Sequence, residues 1–436
     1  MTRRAWWLVV LNLVLPGSVQ VLAGNRRLGR LGLASTIVLV VLVVVTGVTA
    51  LLDRSLLLSI FTNPIALTIV QIALVYFVAL WVVLTLDTLR LTRLIRAAPA
   101  ARPFIAVLTV AALVAVAGVA GYGAVIAGST RSVLVDVFGG GKMADPVDGK
   151  YNIMLLGGDA GSSRVGLRPD SISVISIDAK TGATTSIGIP RNLQRVPFSK
   201  GSPLYGPYPK GYDCGVNCLV SYLYTYGEEH PALYPQAVKD GSEPGIEATR
   251  DAVEGVTGLT IQYFVLIDMG GFKDLVNALG GVDIDVKERL PIGGEANASG
   301  QVIGVTGWIE AGKQHMNGRT ALWYARSRQS TSDYDRMRRQ REVQEAIITQ
   351  FSPSNVLTKF QSVAKAGTRI VKTDIPQGML PGFVDVASKA RGQKMTDVEL
   401  VPKNGVNVVF PNFTEIHAKI DAALKKAVAT AKPTAG

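Results

Sequence analysis

Three long apolar stretches, residues 28–52, 64–89 and 103–128, constrain this chain more than any other feature. A helix needs roughly 20 residues to cross a hydrocarbon core of about 30 Å, and each stretch is long enough to do so. An earlier stretch, 6–24, is equally apolar but is interrupted by Pro16-Gly17, so it reads as a re-entrant or interfacial segment rather than a fourth crossing. Charge supports that choice. Arg3 and Arg4 precede it, Arg26, Arg27 and Arg30 follow it, and Arg90, Arg93, Arg96 and Arg102 lie between the last two spans. The positive-inside rule gathers all of these in the cytoplasm and sends everything after residue 128 outside.

The chain has 436 residues and a net charge of +12. Residues 1–128 hold ten arginines against Asp53 and Asp87, so two thirds of the surplus belongs to the membrane segment. The basic balance therefore reports topology, and no nucleic-acid partner is expected.

Residues 129–150 turn small and polar around Gly139-Gly140-Gly141 and are expected to form a flexible linker. An extracytoplasmic domain follows over 151–424, with a disordered Ala/Lys/Pro tail at 425–436. Within it, strands are expected at 151–156, 171–178, 183–189, 261–267 and 282–286, the second and third forming a hairpin. Helices are expected at 245–256, 272–279, 317–324 and 335–351. The interleaving predicts an α/β sandwich with a central mixed sheet and a site at the strand ends.

The stretch from Ala325 to Gln340, ARSRQSTSDYDRMRRQ, packs five arginines around Asp333 and Asp335. Guanidinium is a permanently charged planar fork suited to phosphate oxygens. On a helix opened by Asp335, Arg336 and Gln340 share one face, and Val343 and Ile347 continue it into a core. Arg326 and Arg328 share one side of the extended segment entering the helix. Arg338, Arg339 and Arg341 fall on other faces and are expected to remain solvated. Upstream, Asp159 follows a strand among glycines, Asp170 precedes the next strand beside Arg168, and Arg191 ends the third. Carboxylates of this kind suit Mg²⁺, which keeps waters and bridges to phosphates.

In this order NIMLLGGD (152–159), RPDSISVISID (168–178), IPRN (189–192), VLIDMGGFKDLVNALGGVDIDV (265–286) and the arginine stretch resemble the LytR-CpsA-Psr family of cell-wall glycopolymer ligases. The resemblance implies a membrane-anchored transferase. Such an enzyme moves a glycosyl phosphate from a polyprenyl-pyrophosphate-linked glycan onto a peptidoglycan hydroxyl and releases polyprenyl phosphate. By motif position it implies Asp159 and Asp170 as Mg²⁺ ligands, and Arg191, Arg326, Arg328 and Arg336 as pyrophosphate contacts, with Gln340 and Arg168 as further substrate-binding residues. The chain departs from the pattern in IPRN, where IPRD is commoner, and in Pro169, which separates Arg168 from Asp170.

Asp159 is also the candidate to take the acceptor's proton, although a metal-bound carboxylate is a poor base. Val174, Ile175 and Val265 are candidates to line a lipid slot, their plainer role being core. Cys214 and Cys218, the only cysteines, are expected to form a disulfide in an extracytoplasmic domain. Two alternatives stay open, a polyprenyl-pyrophosphate hydrolase and a non-enzymatic envelope regulator. Richness in Ala, Val, Gly and Arg points to a GC-rich genome and an arabinogalactan donor, with teichoic acid or capsule as other choices.

Overall fold

A computed structural model describes residues 2–52, 62–93, 95, 98–138, 141–159, 168–296, 302–327, 332–350, 371–391 and 393–431. Two compact units, Met1–Ser132 and Val133–Gly436, divide the chain.

In the first unit, α1 (Thr2–Val14) and α2 (Ser18–Ala23) are separate helices. Thirteen residues rise only about 20 Å, too short to cross a bilayer core. The break falls at Gly17, whose φ is +93°. A Cβ there would lie 2.4 Å from the Leu33 amide nitrogen, so glycine is what lets the turn press against the next helix, α3 (Arg26–Leu52). After it come α4 (Pro64–Thr92) and α5 (Arg102–Phe138). The segments Arg26–Thr49, Pro64–Thr92 and Pro99–Ser132 are each long and apolar enough to span a membrane. The N-terminal hairpin is fastened to α4 by polar side chains. Gln20 Nε2 donates to Leu84 O and Thr88 Oγ1, both at 2.9 Å.

The second unit is built on a mixed six-stranded sheet. Its strands are β1 (Lys150–Asp159), β2 (Arg168–Asp178), β3 (Thr184–Ile189), β4 (Tyr263–Asp268), β9 (Val371–Thr373) and β10 (Thr396–Glu399), in the order β10-β3-β2-β1-β4-β9. β1 runs parallel to β4 and β3 to β10, whereas β1–β2, β2–β3 and β4–β9 are antiparallel. Strand alternation divides the residues between faces. Met154, Leu156, Ile172, Val174, Phe264 and Leu266 enter a core completed by α6 (Leu223–Glu229), α7 (Pro244–Thr257) and α12 (Phe413–Thr430). Ile153, Leu155, Tyr263 and Val265 belong to the opposite side, where Phe383 of α11 (Leu380–Ala390) packs.

A second, smaller core joins α8 (Met269–Leu279), α9 (Gly318–Arg326) and α10 (Asp333–Gln350) to two ribbons. The ribbons are β5 (Val282–Val286) paired with β8 (Gly312–Met316), and β6 (Leu290–Ala296) paired with β7 (Val302–Ile309). The β6–β7 ribbon, rich in glycine, gave no sequence expectation.

Three expectations on local structure differ. The apolar pattern of α5 continues through Phe138, so residues 129–138 are helical rather than a tether, and Ala144 N donates to Tyr263 Oη at 2.8 Å. Residues 425–430 are helical rather than a disordered tail, because buried Leu424 and Ala427 carry α12 on to Thr430. Arg326 is the last residue of a helix and not part of an extended segment, since the Asn317 side chain caps α9 by accepting from Thr320 N at 3.0 Å.

Candidate active site

β1 ends in Gly157-Gly158-Asp159, and its register with β2 shifts between the two glycines. Pro169 opposite offers no amide donor, so the ladder is irregular where Asp170 stands. A Cβ on Gly157 would approach Ser171 Cβ to 3.1 Å. The bare glycine edge thus forms the floor of a cavity of about 1130 Å³, with Asp170 on its wall. Arg191, placed just beyond β3 by Pro190, pairs with Asp170 Oδ1 at 2.5 Å. On its other side, Arg191 Nε lies 3.7 Å from Asp333 Oδ2.

Asp333 opens α10, where a carboxylate suits the positive end of the helix dipole. One turn on, Arg336 Nη2 reaches Asp333 Oδ1 at 3.0 Å and the Asp170 carbonyl oxygen at 3.3 Å. Asp170, Arg191, Asp333 and Arg336 therefore follow one another with alternating charge, and the Asp170 main-chain carbonyl closes the ring, with Arg336 only 2% exposed.

The stripe then changes chemistry along the helix. Gln340 and Gln344 line the same cavity, and Ile347 and Ile348 follow them. Gln344 Nε2 donates to Ser173 Oγ at 3.2 Å, which fixes the helix over the sheet. From Arg336 to Ile348 the rise is about 18 Å. Over that length the wall passes from guanidinium through amide to hydrocarbon. Leu155, Val265, Ile267, Phe272, Leu275 and Leu322 supply further apolar lining.

The other arginines of the stretch behave differently. Arg339 is 1% exposed and turns away from the cavity, donating through Nε to Tyr324 O at 3.0 Å and through Nη2 to Ser327 O. Burial pushes its pKa down. Arg341 is also buried and is ion-paired with Glu399, with burial pushing its pKa down to about 10. Both were expected to be solvated. They are not, because α10 is clamped between the sheet and α9, and its back has no solvent to face. Arg338 alone of these three keeps an accessible side chain, 2.7 Å from Glu342. The Tyr324 phenol is pushed up by burial and by donating to Glu342.

Arg326 is exposed at the end of α9, 5.3 Å from the Trp323 ring centroid, and lines the cavity. Arg328 lies outside the described residues. The backbones of Asp159 and Arg168 oppose one another across β1 and β2, and their side chains are likewise outside what is described. Among the described residues no cluster of three or more His, Cys, Asp or Glu could enclose a metal. Val174 and Ile175 are buried core, so of the lipid-slot candidates only Val265 reaches the cavity.

Three acidic or amide residues at or beside the cavity had no assigned role in the sequence. Asp268 stands beside Gly158 at the end of β4, and its Oδ1 accepts from Gly271 N at 2.8 Å to cap α8. Asp333 and Gln344 are the others. The spacing Arg336, Gln340, Gln344 was a readable signal, since residues four apart share a helix face.

Elsewhere, Cys214 Sγ and Cys218 Sγ are bonded, tying an exposed turn to buried Cys218. The neighbouring Tyr208, Tyr212 and Tyr226 pack edge to face within the domain. His315 pairs with Asp283, and His417 meets the Gly255 carbonyl.

Residues 136–429 match the family model for LytR_cpsA_psr. The chain belongs to the LytR_cpsA_psr family. Among its curated relatives is the polyisoprenyl-teichoic acid–peptidoglycan teichoic acid transferase TagV of Bacillus subtilis (strain 168). It is 26% identical over 210 residues, which cover 48% of this chain and 45% of TagV. TagU of Bacillus mycoides (strain KBAB4), a transferase of the same description, is 26% identical over 52% of this chain and 62% of its own. The chain thus spans between about half and three fifths of the length of these relatives. The crystal structure of B. subtilis TagV aligns with 67% of this chain and all of that one, at 22% identity and a TM-score of 0.46. A solved family member, TagT with bound octaprenyl pyrophosphate lipid, aligns with 65% of this chain and 94% of its own at 20% identity and a TM-score of 0.40.

Proposed function

We propose that this family member is a membrane-anchored phosphotransferase with its second unit outside the cytoplasm. It moves a glycosyl phosphate from a polyprenyl-pyrophosphate-linked glycopolymer to a peptidoglycan hydroxyl. The observation that carries this reading is the polarity gradient along α10. A cavity charged at one end and apolar over the rest of its length suits an amphiphile with a diphosphate head and a long hydrocarbon tail. The relatives' description as polyisoprenyl-teichoic acid–peptidoglycan transferases supports the same class.

In this reading the acceptor oxygen attacks the phosphorus that bears the glycan, its proton passes to solvent, and the bridging oxygen departs with polyprenyl phosphate. Such chemistry needs positioning and charge neutralisation more than covalent participation. Arg336, held rigidly by Asp333 and the Asp170 carbonyl, receives charge on the diphosphate, as do Arg191 and Arg326. Gln340 donates to a further oxygen. Water is excluded by the hydrocarbon walls beyond Gln344.

The donor set fits Mg²⁺ as far as it is described. Asp170 offers a hard, cavity-facing carboxylate, and Mg²⁺ needs only one or two of these when phosphates and water complete its shell. We assign Asp170 and Asp159 to that role, where the ion would neutralise diphosphate charge. Asp170 would exchange part of its Arg191 pairing for it, releasing that guanidinium to the substrate.

The test uses the full chain in vesicles, with a lipid-linked glycan, Mg²⁺ and peptidoglycan oligomers. Glycan on the oligomers is the expected product, abolished by chelation. Free glycosyl phosphate alone would instead make the protein a hydrolase, and an unchanged donor would overturn the reading. Running teichoic-acid and arabinogalactan donors side by side identifies the glycopolymer.

A further inference from the structure

The β6–β7 ribbon stands apart from the sheet and is unused by the proposed chemistry. It is nevertheless joined to the cavity. Gly294 of β6 is the one ribbon residue among the described cavity lining. It adopts φ +85°, and a Cβ there would meet Val302 Cγ1 at 2.7 Å, so the opposite strand packs directly on the back of the cavity wall. From that strand Ile303 and Trp308 expose 57% and 45% of their surface. Trp308 is roofed by the Arg289 guanidinium, 4.1 Å from the ring centroid, and Arg289 is itself paired with Glu310 at 3.0 Å.

An exposed aromatic ring with a guanidinium over its face, on the same strand as an exposed branched aliphatic, has the chemistry of residues that seat in the headgroup region of a bilayer. The two strands carry no basic residue and one carboxylate, Glu295, and are flanked by the Arg289–Glu310 pair, so the attraction is apolar and not a polybasic one. A prenyl chain kept in a bilayer and bound in this cavity must pass between the two without exposing its hydrocarbon to water. An apolar rim inserted into the membrane at the cavity wall meets that requirement.

We propose that the β6–β7 ribbon is a bilayer-contact element, inserting Ile303 and Trp308 into the lipid surface so that a prenyl tail enters the cavity directly from the membrane. This inference rests on the lipid-linked donor proposed above. Its occupant is a lipid surface, not a second protein or a glycan.

The full chain carrying Ile303→Cys with an environment-sensitive label is reconstituted in phosphatidylcholine vesicles containing doxyl-labelled lipid. The same label at Val238, which is exposed in another part of the domain, serves as control. Quenching at position 303 and none at 238 is expected. Equal accessibility to aqueous quencher at both sites overturns the proposal, and so does protection at 303 that appears only with added peptidoglycan oligomers. This reading is independent of catalysis. In parallel, the Ile303→Ser/Trp308→Ser double variant should lose roughly tenfold in transfer from a bilayer-embedded donor and keep full transfer from a water-soluble short-chain donor. Equal rates with both donors, at unchanged protein fold, also overturn it. If the unsubstituted chain transfers from neither donor, the failure belongs to the proposed function, while the quenching still reports on the ribbon.

Discussion

The two sides of α10 carry the same residue type and treat it in opposite ways. Arg336 on the cavity side and Arg339 on the back are both almost completely buried, at 2% and 1% exposure. Arg336 is met by the Asp333 carboxylate and a carbonyl at the edge of a large cavity. Arg339 is met by main-chain carbonyls of the segment that carries Arg326. Burial alone therefore does not mark a functional arginine. What separates the two is whether space for a ligand lies beyond the guanidinium.

That contrast can be broken experimentally. Arg336→Ala should lower transfer by about 10³-fold, the scale of removing a preorganised charge-stabilising donor, with the fold retained by circular dichroism. Arg336→Lys should recover only a small part of this, because a point charge does not replace the fork.

On the other side, Arg339→Met should cost about 3 kcal/mol of stability by leaving the Tyr324 and Ser327 carbonyls unpaired, seen as a lower unfolding temperature. Its transfer rate per folded molecule should fall far less than that of Arg336→Ala. A reversed order of these two effects would erase the distinction between the sides.

Gln340→Ala, which removes a neutral donor one turn beyond Arg336, should reduce transfer by roughly tenfold without a stability change. The smallest effect is expected at Arg338, whose accessible pair with Glu342 contributes no more than about 0.5 kcal/mol. A variant Arg338→Ala with strongly reduced transfer would show that the cavity rim extends further around the helix than described.

Much of the site could be read directly in the chain because it depends on local periodicity. Arg336 and Gln340 share a helix face at any placement of that helix, and Asp170 and Arg191 flank a predicted hairpin, so their approach follows from antiparallel pairing. Asp333 was harder to recognise, since one of two acids among five arginines reads as charge balance until Arg191 is brought beside it from the end of β3. Asp268 was hidden by its ordinary use as a helix cap. The β6–β7 ribbon was hidden by its glycines, which weaken the alternation that announces a strand.

The sequence by itself determined that three membrane-length apolar segments precede a mixed α/β domain, and that arginines cluster in a chain with two upstream aspartates. Length, hydropathy and short-range periodicity are sufficient for each. Only the tertiary structure decided which arginines face a cavity and which are sealed behind it. It also revealed that the cavity grades from charge to hydrocarbon along one helix. Those properties depend on what packs against each face of α10, and the sheet, α9 and the ribbons that do so are contributed by residues far away in the chain.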